Sequence, residues 1–188
     1  MVGGHTAWPM PERSERTGGI GAAVAREFAK AGSDVAITWR SKEADAKALA
    51  AEIERVKAIH GVAILYDCHS IRSLISFLFE GRLPDFNVGT DMGRTCAKAI
   101  ETATYEACAS AEGYPSILNG RFKGGWTTRH YGKPETGVHA IQMELAQISH
   151  LAAEIPPFDL DEAKAARLRI ALKDILNRIE ALASTLSR

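Results

Sequence analysis

The chain has 188 residues, 46% of them hydrophobic, and its 23 Lys+Arg balance 23 Asp+Glu to a formal net charge of zero. That length and apolar content suit one domain with a real core and argue against disorder, while the charge balance gives no electrostatic case for nucleic acid or an anionic membrane surface. A small-molecule partner is therefore expected, with the oligomeric state left open. Cys68, Cys96 and Cys108 form no C-x-x-C pair, which indicates neither a disulfide framework nor a cysteine-rich zinc site and fits a reducing cytoplasm. No apolar run is long enough to span a bilayer, and MVGGHTAWPMPERSER lacks the basic-then-apolar layout of a secretory signal, so a soluble, cytoplasmic protein is expected.

Residues 1–16 mix Gly3, Gly4, Pro9 and Pro11 with charges and show no helical or strand period, so they read as an irregular lead-in. Thr17 to Gly32 reads as a helix through Val24, Ala25 and Phe28, with glycine suited to its stop. Asp34 to Trp39 reads as a strand, and Ser41 to Ile59 as a second helix carrying Leu49, Ile53 and Val56 on one side.

The run G-G-I-G-A-A-V-A-R-E-F-A-K-A-G-S-D-V-A-I-T-W-R-S resembles the first helix, second strand and following turn of short-chain dehydrogenase/reductases, over residues 17–48. That resemblance implies an NADP-dependent reductase fragment as an alternative function. Arg40 is then the type of residue that pairs a ribose 2′-phosphate, and equally an ordinary solvated arginine. Against a dinucleotide site, A-W-P-M-P-E-R-S stands where the entering strand belongs, and proline cannot join a central ladder. Ser14-Glu15 replace the leading Thr-Gly, and no tyrosine is followed four residues later by lysine. No cofactor-binding residue is assigned.

Gly61 to Ser70 reads G-V-A-I-L-Y-D-C-H-S. Val62 to Tyr66 has the unbroken apolar character of a strand buried on both faces, which puts Asp67, His69 and Ser70 at its carboxyl end, where open α/β sheets collect ligands. Arg72 follows. Phe86 to Gly89 and Pro115 to Leu118 read as short strands, and Asp91 to Ala111 as a helix capped by Asp91. N-G-R-F-K-G-G-W-T-T-R-H-Y-G, residues 119–132, reads as a glycine-rich loop whose cations suit an anionic guest. Val138 to Met143 reads as a strand ending in Glu144. A last helix begins near Asp159 and Glu162, and its stripe from Leu168 to Leu186 is expected to dock on the sheet.

From about residue 49 to the C-terminus the chain resembles the N-formylglutamate amidohydrolases (N-formylglutamate deformylases), hydrolases of histidine degradation. The resemblance rests on A-L-A-A-E-I-E-R-V, D-C-H-S-I-R-S, G-R-L-P-D-F-N-V-G-T, L-N-G-R-F-K-G-G-W-T-T-R-H-Y-G and V-H-A-I-Q-M-E-L-A, in that order. That family is similar in turn to zinc carboxypeptidases, in which a His-Ser after a strand supplies a metal ligand and a Glu-Leu on a later strand supplies the general base. The resemblance implies hydrolysis of N-formyl-L-glutamate to L-glutamate and formate by a zinc-activated water. It makes His69 a metal ligand and Glu144 the base. A carboxylate beside a ligating imidazole commonly orients its other ring nitrogen, a role open to Asp67, which equally reads as a loop cap. Because the substrate carries two carboxylates, Arg121 and Arg129, with Arg72 third, are the expected recognition groups, although each also reads as a solvated loop charge. His130, His139 and His150 read as surface or structural residues, and the cysteines as buried thiols.

The family's upstream portion, with its Pro-His segment and acidic residues, has no counterpart here. His5 and His60 are the only histidines before Gly61. The expectation is a chimera joined around Ala44 to Ala51, its activity impaired where metal ligands are missing, with an inactive or binding-only fragment as the non-enzymatic alternative. The expected fold is a single α/β domain over residues 1–188, a three-layer sandwich with a mostly parallel sheet, zinc-carboxypeptidase-like in its C-terminal three quarters.

Overall fold

A computed structural model describes residues 43–186, with side chains from residue 47 onward. The readings placed on residues 1–42, namely the lead-in, the helix and strand of the dehydrogenase-like segment, Glu15 and Arg40, lie outside the described residues. The sheet and the helices that follow its first strand belong to one compact unit, Ile53–Arg188.

Helix α1 (Glu43–His60) is built from alanines and straight-chain residues, which lose little side-chain freedom in a helix. It stops at Gly61, whose φ of 75° lets its N–H reach the Lys57 carbonyl at 2.8 Å, a left-handed glycine cap. Leu49 and Ile53 are buried, four residues apart.

Four strands follow: β1 (Ala63–Ile71), β2 (Phe86–Gly89), β3 (Ser116–Leu118) and β4 (Val138–Ala146), in the spatial order β1-β4-β2-β3. β1 lies parallel to β4 and β2 parallel to β3, but β2 runs antiparallel to β4. The sheet is therefore mixed, not mostly parallel. A parallel return needs a crossover, usually helical, and β1 leads to β2 through a stretch of turns without a helix. β2 and β3 are joined by helix α2 (Lys98–Ser110), and they do run parallel.

Two strand readings also shift. β1 continues through Ile71 because each residue from Ala63 has a β4 partner, so Asp67, Cys68, His69 and Ser70 lie within the strand and not beyond it. β1 is half-buried at one edge of the described sheet, whereas β4 is buried along its whole length. For the same reason β4 runs past Met143 to Ala146, and Glu144 is an interior strand residue.

α2 begins at Lys98 and not at Asp91. Asp91 and Met92 have φ of 49° and 60°, outside the helical region, and the Asp91 carboxylate pairs with Arg94 at 2.8 Å. Beneath this turn the buried Glu101 accepts from Lys98 Nζ at 2.7 Å and from the Thr90 hydroxyl. Asn119 accepts the N–H groups of Thr90 at 2.9 Å and Met92 at 3.2 Å, stitching this turn to the glycine-rich segment.

The last helix, α4 (Glu162–Leu186), buries Leu168, Leu172, Ile175 and Ile179. That stripe packs chiefly on α2, helix against helix, where docking on the sheet was expected. Within the glycine-rich segment a short helix, α3 (Trp126–Tyr131), lies across β4 and β1. No helix among the described residues is long and apolar enough to cross a membrane.

Candidate active site

Side chains alternate between faces along a strand, and partners in a parallel ladder share a face. β1 and β4 pair Asp67 with Gln142 and His69 with Glu144, so all four stand on one side of the sheet. Asn87 of β2 joins them as the partner of Glu144 on the antiparallel side. The structure thus brings His69, Asp67 and Glu144 together from segments far apart in sequence.

Asp67 Oδ1 lies 2.9 Å from His69 Nε2, which fixes the imidazole plane. Its second oxygen accepts from Thr128 Oγ1 of α3 at 3.4 Å. The His69 ring is about half exposed, its side chain at 48%, while the Asp67 carboxylate behind it is at 15%.

Glu144 is buried, at 6% exposure. Burial raises its carboxyl above the usual glutamate range; the His69 imidazole and a hydrogen bond from Gln142 oppose this, and Asp67 adds to it. A carboxyl displaced upward in this way is better matched to taking and returning a proton near neutral pH. Gln142 Nε2 donates to Glu144 Oε2 at 3.2 Å, and Gln142 Oε1 accepts the Gly125 N–H at 2.5 Å. Asn87 Nδ2 donates to the carbonyls of Pro84 at 2.7 Å and Glu144 at 3.0 Å, pinning the β4 backbone under the carboxyl.

The glycine-rich segment leans over this face. Gly124 sits so close to Gly89 that a Cβ on Gly89 would lie 2.5 Å from the Gly124 nitrogen, so the approach of the two loops requires glycine there. Arg129, exposed on α3, donates through Nη1 to the Gly124 carbonyl. It also helps hold Asp91 below the usual carboxylate range, where Arg94 is the main cause.

The other two arginines are placed differently. Arg121 Nε is committed to the Leu78 carbonyl at 2.9 Å, and Arg72 is exposed just past β1. No hydrogen bond or ion pair among the described residues joins either of them to Asp67, His69 or Glu144. Ser70 falls on the opposite side of the ladder from His69. The three cysteine thiols are pushed up to about 12, chiefly by burial, and none has thiolate character.

Sequence reasoning missed Gln142, Thr128 and Asn87. Gln142 carried a usable signal, since it precedes Glu144 by one full strand period. Thr128 carried none, because four glycines hid the helix that places it.

A catalytic zinc takes three protein donors. Among the described residues no three His, Cys, Asp or Glu side chains converge at metal-holding spacing, so His69 and Asp67 do not by themselves fit the ion.

A family model described as N-formylglutamate amidohydrolase matches residues 46–151, a span that holds every side chain of this polar face. The chain belongs to the N-formylglutamate amidohydrolase family. It is 50% identical over 133 residues to an N-formylglutamate deformylase of Pseudomonas aeruginosa PAO1, covering 69% of this chain and 50% of that protein. It is 45% identical over 128 residues to the N-formylglutamate deformylase of Pseudomonas putida, covering 68% and 48% respectively. The chain spans about half the length of these curated relatives. Its fold is similar to the crystal structure of an N-formylglutamate amidohydrolase from Ralstonia eutropha JMP134, with a TM-score of 0.65 at 20% identity, covering 85% of this chain and 55% of that one. These matches support the amidohydrolase resemblance and lend none to a dehydrogenase-like origin or a chimeric join.

Proposed function

We propose that this family member hydrolyses N-formyl-L-glutamate to formate and L-glutamate, with Glu144 as general base and His69, oriented by Asp67, beside it. The observation that carries the reading is the His69↔Glu144 rung of the β1–β4 ladder, which sets an imidazole and a buried carboxyl side by side on one face. In the proposed reaction a water loses a proton to the Glu144 carboxylate as its oxygen bonds the formyl carbon. Glu144 then returns that proton to the amide nitrogen, the C–N bond breaks, and formate and glutamate leave. His69 faces the formyl oxygen. Arg129, tied to Gly124, takes a substrate carboxylate, with Arg121 and Arg72 as further cations at the rim. A zinc ion at His69 would draw its remaining donors from outside the described residues.

The finer fold reading, a three-layer sandwich of zinc-carboxypeptidase type, belongs to the same proposal and is supported by helices on the sheet, α3 against β4 and β1 and α2 against β2 and β3. So does a cytoplasmic setting with a small dicarboxylate as partner. The test is formate release from N-formyl-L-glutamate by the full chain, beside H69A and E144Q, with metal content measured on each preparation. Turnover lost in both variants supports the hydrolase. A wild-type chain that binds glutamate but releases no formate supports the binding-only alternative.

A further inference from the structure

Helix α3 is tethered to the polar face twice, and the two tethers are alike. Thr128 reaches Asp67, which holds His69; Gly125 reaches Gln142, which holds Glu144. Asp67 and Gln142 are themselves ladder partners, so one rung of the β1–β4 ladder acts and the next rung on the same face holds it in place.

We propose that Gln142 is a positioning residue that couples the glycine loop to Glu144, so that a carboxylate seated on that loop also fixes the base. The coupling deepens the hydrolase reading and rests on it for its catalytic consequence. A primary amide is required by the chemistry at both ends. The Gly125 N–H only donates, so it must meet an oxygen; an ionised Glu144 only accepts, so it must meet N–H. That assignment leaves the Gln142 amide no freedom to flip, and at 6% exposure the loss of either partner leaves a largely buried polar group unmatched. The loop end of the strap is equally constrained. Gly125 follows Gly124, whose φ is 112° and whose carbonyl takes Arg129, and Lys123 accepts the Asp91 N–H through its carbonyl at 2.5 Å. An anion drawn to Arg129 therefore loads the same short stretch of backbone that holds Gln142. An apolar residue at 142 would serve neither end. A glutamate would still accept from Gly125 but would set a second carboxylate against Glu144.

The test uses the full chain with 15N labelling and reads the Gly125 amide resonance. E144A should move that resonance in the presence of Gln142 and leave it unmoved in a Q142M or Q142L background. In formate release, Q142M should lower kcat by about 10- to 100-fold, as expected when a base is misplaced by an ångström or less, while KM changes by less than about threefold. Two variants guard against one that fails to fold. A Gly125 resonance indifferent to E144A, or moved equally with and without Gln142, would overturn the coupling. So would an undiminished kcat in Q142M. If the wild-type chain releases no formate, the proposed reaction fails, and the resonance still decides whether Gln142 couples loop to carboxyl.

Discussion

The two faces of strand β4 differ sharply, although they alternate residue by residue along one segment. Gln142 and Glu144 stand with Asp67, His69 and Asn87 on the polar face. Ile141, Met143 and Leu145 stand with Phe86 and Val88 on the other. Every residue of β4 is buried, so burial does not separate the faces. What separates them is what burial does. On the apolar face it removes hydrocarbon from water and stabilises the fold, by roughly 1.5–3 kcal/mol for each large side chain. On the polar face it desolvates Glu144 and raises its carboxyl, an arrangement that opposes folding at neutral pH and suits proton transfer.

Adjacent substitutions should split this contrast most widely. E144Q should lower formate release by about 10²- to 10⁴-fold. A carboxyl whose pKa is raised on folding stabilises the fold below its unfolded pKa and loses that contribution as pH rises through the folded value. E144Q should therefore raise the urea midpoint at pH 7, measured by circular dichroism. M143A, one residue away, should do the reverse. It should cost about 2–5 kcal/mol in the same unfolding experiment, because Met143 is 1% exposed and leaves a cavity. A fall in stability for E144Q comparable to that for M143A would erase the distinction between the faces.

His150 sharpens the comparison from outside the polar face. It is buried against Ser149, near Glu154 and Lys164, and burial brings its imidazole down to about 4. Its contribution is fully present above the unfolded value near 6.5 and is lost as pH falls toward the folded value. The loss should reach about 3 kcal/mol at most. H150N should flatten the dependence of urea midpoint on pH between 7 and 4. The smallest effect is expected at the rim. R129A should raise KM about tenfold, one charge-assisted hydrogen bond, with kcat changed much less.

His69 and Glu144 could be picked out from the segments around them, but nothing in their spacing says that β1 and β4 are neighbours in that register. The ends of both strands were misread because pairing, not local composition, carries them through His69 and Glu144. Sheet direction was hidden for a similar reason: residues 72–85 look like any loop, and only the absence of a helix there lets β2 enter reversed. The stripe on α4 was legible from its spacing. Its partner, α2, was not, because an apolar stripe does not name what it covers. The start of α2 was lost to the Thr90–Glu101–Asn119 network, in which side chains and left-handed backbone override the apparent cap at Asp91.

The proposed reaction needs His69 and Glu144 to act on one substrate as a unit. A double-mutant cycle on kcat/KM for formate release, with H69A, E144Q and the pair, measures that directly. The double variant should be no slower than the worse single one. Losses that multiply, each residue acting without regard to the other, would contradict it.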